Sequence, residues 1–234
     1  MGIPSEWKGK AALACYVALF GGVLLGSIVL ALVLIIMRVD YQTLPFPQAF
    51  VSVPVNEAIV LGVTLLFARY KGASLEKLGV KKVSLKVLAA VSVVAVLLVL
   101  LSSGIETVET IIFGPDPLTE VYLEAVMPKD FLQLVAMIVL FLGVVGPCEE
   151  LAFRGFVQKG FENSLGKVGG LLLTSVLFGL WHSLNTLYAI VPTFVGGLVL
   201  GYVWQKTGGN TVALAWMHGV YNTVIALAMF FVPV

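Results

Sequence analysis

Residues 11–37 read AALACYVALFGGVLLGSIVLALVLIIM, an unbroken run without a single charged side chain. A helix of about 20 apolar residues crosses the hydrocarbon core of a bilayer, so this run is a membrane span by itself. It is too long for the apolar core of a signal peptide, and no small-residue cleavage site follows it closely, so it reads as a retained anchor. The remainder of the chain has the same character. Of 234 residues, 59% are hydrophobic and only 12% are charged, with a mean hydropathy of +1.04, whereas soluble domains carry about 25% charged residues. The expected fold class is all-α, a polytopic membrane helical bundle.

Working outward, a second span runs from about Gln48 to Ala68, interrupted by Pro54 and Glu57, and a third from Val87 to about Ile105. A fourth starts at Phe131 and reaches Cys148 without a charge. From Val168 to Gln205 there are 38 uncharged residues, too many for one crossing. The polar stretch HSLNT (182–186), followed by Pro192, is the natural break and divides this run into a fifth and a sixth span. The seventh runs from Asn210 to the C-terminus. The count is therefore seven, or eight if the loop before Phe131 hides a re-entrant helix. No internal repeat, linker or soluble domain is visible, so residues 1–234 read as a single transmembrane domain.

The basic residues orient it. Seven spans place Lys8 and Lys10, residues 69–86, residues 149–167 and Lys206 on one side, with twelve of the fourteen Lys and Arg residues; Arg38 and Lys129 lie opposite. This bias predicts a cytoplasmic N-terminus and an outward C-terminus. The loop carrying Glu106, Glu109, Asp116, Glu120, Glu124 and Asp130 then lies outside. The membrane would be the plasma membrane of a prokaryote or, in a eukaryote, the endoplasmic reticulum. Membrane lipid is thus an implied partner. A net charge of +1 without a basic cluster gives no reason to expect nucleic acid. Cys15 and Cys148 both lie in apolar segments, so a disulfide framework is not expected.

Ionisable groups inside a membrane are expensive and need a reason. Three polar clusters fall in or near the spans of the C-terminal half. GPCEELAFRGF (146–156) ends the fourth span with Glu149, Glu150 and Arg154; FGLWH carries Phe178 and His182 in the fifth; HGVYN carries His218 and Asn222 in the seventh. His182 and His218 are the only histidines in the chain. On a helix Glu150 and Arg154 are i,i+4 neighbours, with the acid on the favoured N-terminal side. Glu149 is offset from Arg154 by about 140°, so one carboxylate is committed to the arginine and the other is available. Pro147 removes a backbone donor and is expected to kink the helix just before the pair. A helix restarting there would place both glutamates in its first turn, where the macrodipole favours anions. His218 and Asn222, also i,i+4, share one face. At about 1.5 Å per residue, His218, Glu149 and His182 lie roughly 12, 15 and 22 Å from the basic ends of their spans, so one cavity open to the cytoplasm can hold the set.

The motifs E-E-x-x-x-R, F-x-x-x-H and H-x-x-x-N, in this order and each within a hydrophobic span, resemble those of the CPBP family (CAAX protease and bacteriocin-processing, also called Abi) of intramembrane endopeptidases, related to the Ras-converting CAAX prenyl protease. The resemblance covers roughly residues 131–230, which it marks as a catalytic core. It implies that Glu149, with His182, activates a water. It implies that His218 and Asn222 stabilise the oxyanion of a tetrahedral intermediate, with Glu150, Arg154 and Phe178 in support. It implies a substrate that is a membrane-anchored or lipidated peptide or protein, with prenylated CAAX sequences as the family's namesake; the residues themselves favour a metal-independent route with no cofactor, zinc being the alternative. The physical reading agrees. Asn and His donors aimed at a developing oxyanion are worth a few kcal/mol of barrier, and a positioned carboxylate serves as general base.

Other readings use the same residues. In a zinc protease, Glu149, His182 and His218 would bind the metal and Glu150 would be the base; Glu and His suit zinc, but there is no H-E-x-x-H, and the Glu150–Arg154 pair would leave no free base. In a proton-coupled carrier, Glu57, Glu149 and the histidines would relay protons, against which stands the absence of a visible repeat. A scaffold or immunity factor would act by binding alone. Nothing in the sequence around Cys148 favours the thiolate a cysteine protease needs. Glu57, beside Asn56 and near Pro54, is either a hydrogen-bonded residue of the bundle or part of the cavity. Gly197 and Gly201 form a small-xxx-small face suited to close packing. SLEKLGVKKVSLK (74–86) reads as an amphipathic cytoplasmic segment at the interface.

Overall fold

A computed structural model describes residues 6–39, 47–183 and 185–232, the side chains of Glu120 and Glu124 excepted. Leu184 of the HSLNT break lies outside the described residues. The regular structure of the described residues is all helix, as that of an apolar chain in a bilayer must be, because no water is present to satisfy an open backbone. The long helices are α1 (Gly9–Ile36), α2 (Ala49–Tyr70) and α3 (Leu85–Phe113). After a short α4 (Thr119–Val126) comes one continuous helical stretch. It is built of α5 (Phe131–Leu140), a π-helical segment Phe141–Val145, α6 (Gly146–Glu150), a second π-helical segment Leu151–Gln158, and α7 (Lys159–His182). A 3₁₀ turn (Leu187–Ala189) leads to α8 (Ile190–Lys206) and α9 (Thr211–Phe231).

Six of these helical stretches are long and apolar enough to cross a membrane, Phe131–His182 counting as one of 52 residues. That stretch folds back on itself. Gly166 has φ 73° and ψ 172°, outside helical values, a left-handed φ that glycine adopts freely. A Cβ on Gly170 would lie 2.9 Å from the Cα of Glu162, and the rings of Phe153 and Phe178 are 4.9 Å apart. In a straight helix those two phenylalanines would be separated by roughly 37 Å. The reversal turns six stretches into seven helical passes, with α4 the short helix of the loop before Phe131 and too short to cross. The polytopic bundle expected from the sequence is the fold.

One expectation is corrected. The chain does not break at Pro147. Val145, Gly146, Glu150 and Leu151 all keep right-handed helical φ/ψ, and the turn ahead of the proline widens to a π turn, with Gly146 N–H donating to the carbonyl of Phe141. A widened turn accommodates the missing donor and the ring while the helix continues. Glu149, Glu150 and Arg154 are therefore interior to a long helix and not in the first turn of a new one. Residues 74–84, part of the stretch read as an amphipathic interfacial segment, are not helical. Turns over 75–79 and irregular residues 80–84 form a hook onto the start of α9. Thr211 N–H donates to the Gly79 carbonyl (2.8 Å), Thr211 Oγ1 to that of Leu78 (2.6 Å) and Asn210 Nδ2 to that of Lys82 (3.0 Å). Leu78 is fully buried beneath Gly155, where a Cβ would lie 2.6 Å from the Leu78 carbonyl oxygen.

The hook, together with Trp7, whose indole N–H donates to the Phe156 carbonyl (2.8 Å) and stacks on the Phe156 ring at 4.9 Å, seals the segment Leu151–Gln158. All eight of its residues are buried. Gly197 and Gly201 pack as their spacing predicts: a Cβ on Gly197 would lie 3.0 Å from the Cα of Ser175, and one on Gly201 2.5 Å from Leu171. Their carbonyls also receive side chains, Arg154 Nη2 at 3.5 Å and Gln158 Nε2 at 3.2 Å.

Candidate active site

The site is assembled where α6 crosses α9, and glycines set the distance between them. A Cβ on Gly146 would collide with the Ala215 carbonyl, and one on Gly219 would lie 2.9 Å from both the Leu142 Cα and the Phe141 carbonyl oxygen. Gly146 is one turn before Glu150, and Gly219 follows His218. Backbone-to-backbone approach at these two positions brings the carboxylates of one helix to the imidazole of the other.

Glu150 Oε1 accepts from Arg154 Nη1 at 2.8 Å, and both side chains are completely buried. The same oxygen is 2.9 Å from His218 Nδ1. The other ring nitrogen, His218 Nε2, lies 4.0 Å from Glu149 Oε2, and Glu149 is 7% exposed. The i,i+4 spacing correctly separates the Arg154 partner from its neighbour; what spacing could not reveal is that Glu150 also holds His218. With its carboxylate paired to Arg154, Glu150 acts as acceptor, so His218 Nδ1 carries the hydrogen. Nε2 is then a lone pair in the neutral ring and a second donor in the imidazolium.

Arg154 is capped on its other side by an aromatic face, its guanidinium carbon 4.3 Å from the centre of the Phe178 ring. Phe178 is the shared wall of the site. Its ring is 4.6 Å from that of His182 and 6.1 Å from that of His218, both edge-to-face. His182, the last residue of α7, is 2.9 Å from the Phe178 carbonyl through Nδ1. A carbonyl only accepts, so this nitrogen carries the hydrogen and the neutral ring turns a lone pair outward at Nε2. His182 also interacts electrostatically with Glu149, His218 and Arg154. Asn222 is partly buried, one turn beyond His218 on α9. Glu149, Glu150, Arg154, Phe178, His182 and His218 thus form one cluster.

Arg154 is the guanidinium of this cluster and stands beside the carboxyl groups of both Glu149 and Glu150. Among the described residues no three His, Cys, Asp or Glu side chains are gathered as a metal ligand set. Cys15 and Cys148 are both free and buried.

Comparison with known families bears on residues 131–224, which match the model of the Rce1-like family, type II CAAX prenyl endopeptidase. No curated protein and no solved structure matches the chain. The matched segment contains all three motifs and every residue of the cluster just described. The motif-bearing part of this membrane bundle is therefore related to the CPBP family of CAAX proteases.

Proposed function

We propose that this chain is an intramembrane endopeptidase that hydrolyses a peptide bond in a membrane-anchored or lipidated substrate, the prenylated CAAX sequence being the class its family relationship favours. Glu149 is the general base. A water held by the Glu149 carboxylate and the Nε2 lone pair of His182 gives up a proton to Glu149 as its oxygen bonds to the scissile carbonyl carbon. The carbonyl π bond breaks toward oxygen, and the resulting oxyanion is met by the amide of Asn222 and by Nε2–H of His218 as imidazolium. Collapse of the intermediate breaks the C–N bond, and the proton held by Glu149 passes to the leaving amine. Glu150 and Arg154 do not touch the substrate in this scheme. They hold His218 by its Nδ1 and so aim its Nε2.

The observation that carries this reading is the His218–Glu150 bond with Nε2 left 4.0 Å from Glu149. A histidine anchored on one nitrogen and presented on the other, beside an unengaged carboxylate, is the arrangement acyl transfer needs. The test is whether the purified protein in detergent micelles cleaves an internally quenched, farnesylated CAAX peptide, and whether Glu149→Gln abolishes the cleavage. The zinc-dependent reading predicts a different result in the same assay, loss of activity with a zinc chelator and recovery on adding zinc.

A further inference from the structure

Glu57 belongs to none of the three motifs. It lies within α2 and is 5% exposed, and its Oε2 has no hydrogen-bond partner among the described residues. Across the packing of α2 against α6, it interacts electrostatically with Glu149 and with the adjacent Cys148. A buried carboxyl with an unsatisfied oxygen weakens a fold, and an apolar side chain would remove that cost. A carboxyl kept inside a membrane span at such a cost points to function. Glu149 has the complementary need: its Oε2 also lacks a hydrogen-bond partner among the described residues. One water, with two hydrogens to donate, suits two open acceptors on neighbouring helices.

We propose that Glu57 is a positioning residue for Glu149: a water donating to both carboxyl groups fixes Glu149 Oε2, so that its other oxygen faces the water that attacks the peptide bond. This rests on the hydrolytic reading above. The bridging water is not consumed and Glu57 changes no bond; it acts through the orientation of Glu149. The residue would then matter for turnover and not for substrate binding, and its loss would leave the fold intact.

The experiment compares wild type with Glu57→Leu, Glu57→Gln, Glu57→Asp and Glu149→Gln, using the farnesylated quenched peptide for kcat and KM and thermal unfolding for stability. Glu57→Leu is expected to lower kcat by about 10- to 100-fold through misplacement of the base, with KM unchanged and the unfolding temperature not reduced. Glu57→Gln, which still bonds a water, is expected to restore most of that loss. Glu57→Asp, which withdraws the carboxyl by one methylene, is expected to fall between them, and it carries the test should the leucine variant not fold. A Glu57→Leu or Glu57→Asp enzyme with wild-type kcat, while Glu149→Gln is inactive, overturns the proposal and leaves the hydrolytic reading standing. Wild-type protein without cleavage, or Glu149→Gln as fast as wild type, overturns the hydrolytic reading and this proposal with it.

Discussion

His218 and Glu150, 68 residues apart in the chain, are joined by a 2.9 Å bond between Nδ1 and Oε1, and the same oxygen holds Arg154 at 2.8 Å. One carboxylate oxygen therefore fastens a guanidinium on its own helix and an imidazole on the next. Glu150 is the link between the packing of the bundle and the orientation of the site.

Substituting it should show first in stability. Glu150→Gln leaves Arg154 as an uncompensated buried cation, and breaking a buried pair costs about 3–5 kcal/mol. Thermal unfolding in detergent should therefore fall well below wild type for Glu150→Gln and much less for Glu149→Gln, whose carboxylate has no cation closer than 4.0 Å. Equal unfolding temperatures for the two variants would contradict the assigned division of labour.

Asn222 is expected to act on rate alone. Removing an oxyanion donor costs about 10²–10³-fold in kcat, so Asn222→Ala should turn over more slowly with KM unchanged and folding preserved. An unchanged kcat would remove Asn222 from the site.

Gly219 tests the crossing that builds the site. A methyl group there meets the Leu142 Cα and the Phe141 carbonyl oxygen at 2.9 Å, both of them backbone atoms that do not move aside. Overpacking costs about 1–3 kcal/mol, and a displacement of about 1 Å can cost about 10²-fold in rate. Gly219→Ala should thus lose stability and, more sharply, activity. Gly62→Ala, where nothing lies within 4 Å of the added carbon, is the control and should behave as wild type.

The topology is open to labelling. The distribution of basic residues predicts that cysteines introduced in residues 71–86 react from the cytoplasmic side and those in 106–129 from outside. The two natural thiols, Cys15 and Cys148, are buried and provide a quiet background. Reaction from the reverse sides would invert the orientation.

The sequence made the fold class legible because the signal is simple: charge-free runs of spanning length admit only helices in a bilayer. It also made the cluster legible, since ionisable side chains in apolar runs stand out and helical spacing pairs Glu150 with Arg154. Three things were not legible, each for a physical reason. The effect of Pro147 depends on whether the preceding turn can widen, and that depends on the tertiary packing of residues 141–145. The Glu150–His218 bond depends on the close approach at Gly146 and Gly219, and a glycine does not announce which helix it will meet. The hook of residues 74–84 depends on backbone groups at Leu78, Gly79 and Lys82, which carry no residue-specific pattern. A charged, leucine-bearing stretch therefore read as an amphipathic segment.

The central claim is that Glu149 is the base of a metal-independent peptidase. Its most direct test is kcat for cleavage of a farnesylated CAAX peptide by wild type and by Glu149→Gln, measured with and without a zinc chelator on protein shown to be folded. The substitution keeps size and most hydrogen bonding but removes the proton acceptor, and loss of a positioned general base costs on the order of 10²–10⁴-fold. The account predicts that loss for Glu149→Gln with an unfolding temperature far less lowered than that of Glu150→Gln, and with wild-type turnover indifferent to the chelator. Wild-type turnover by Glu149→Gln, or activity lost to the chelator and restored by zinc, would contradict it.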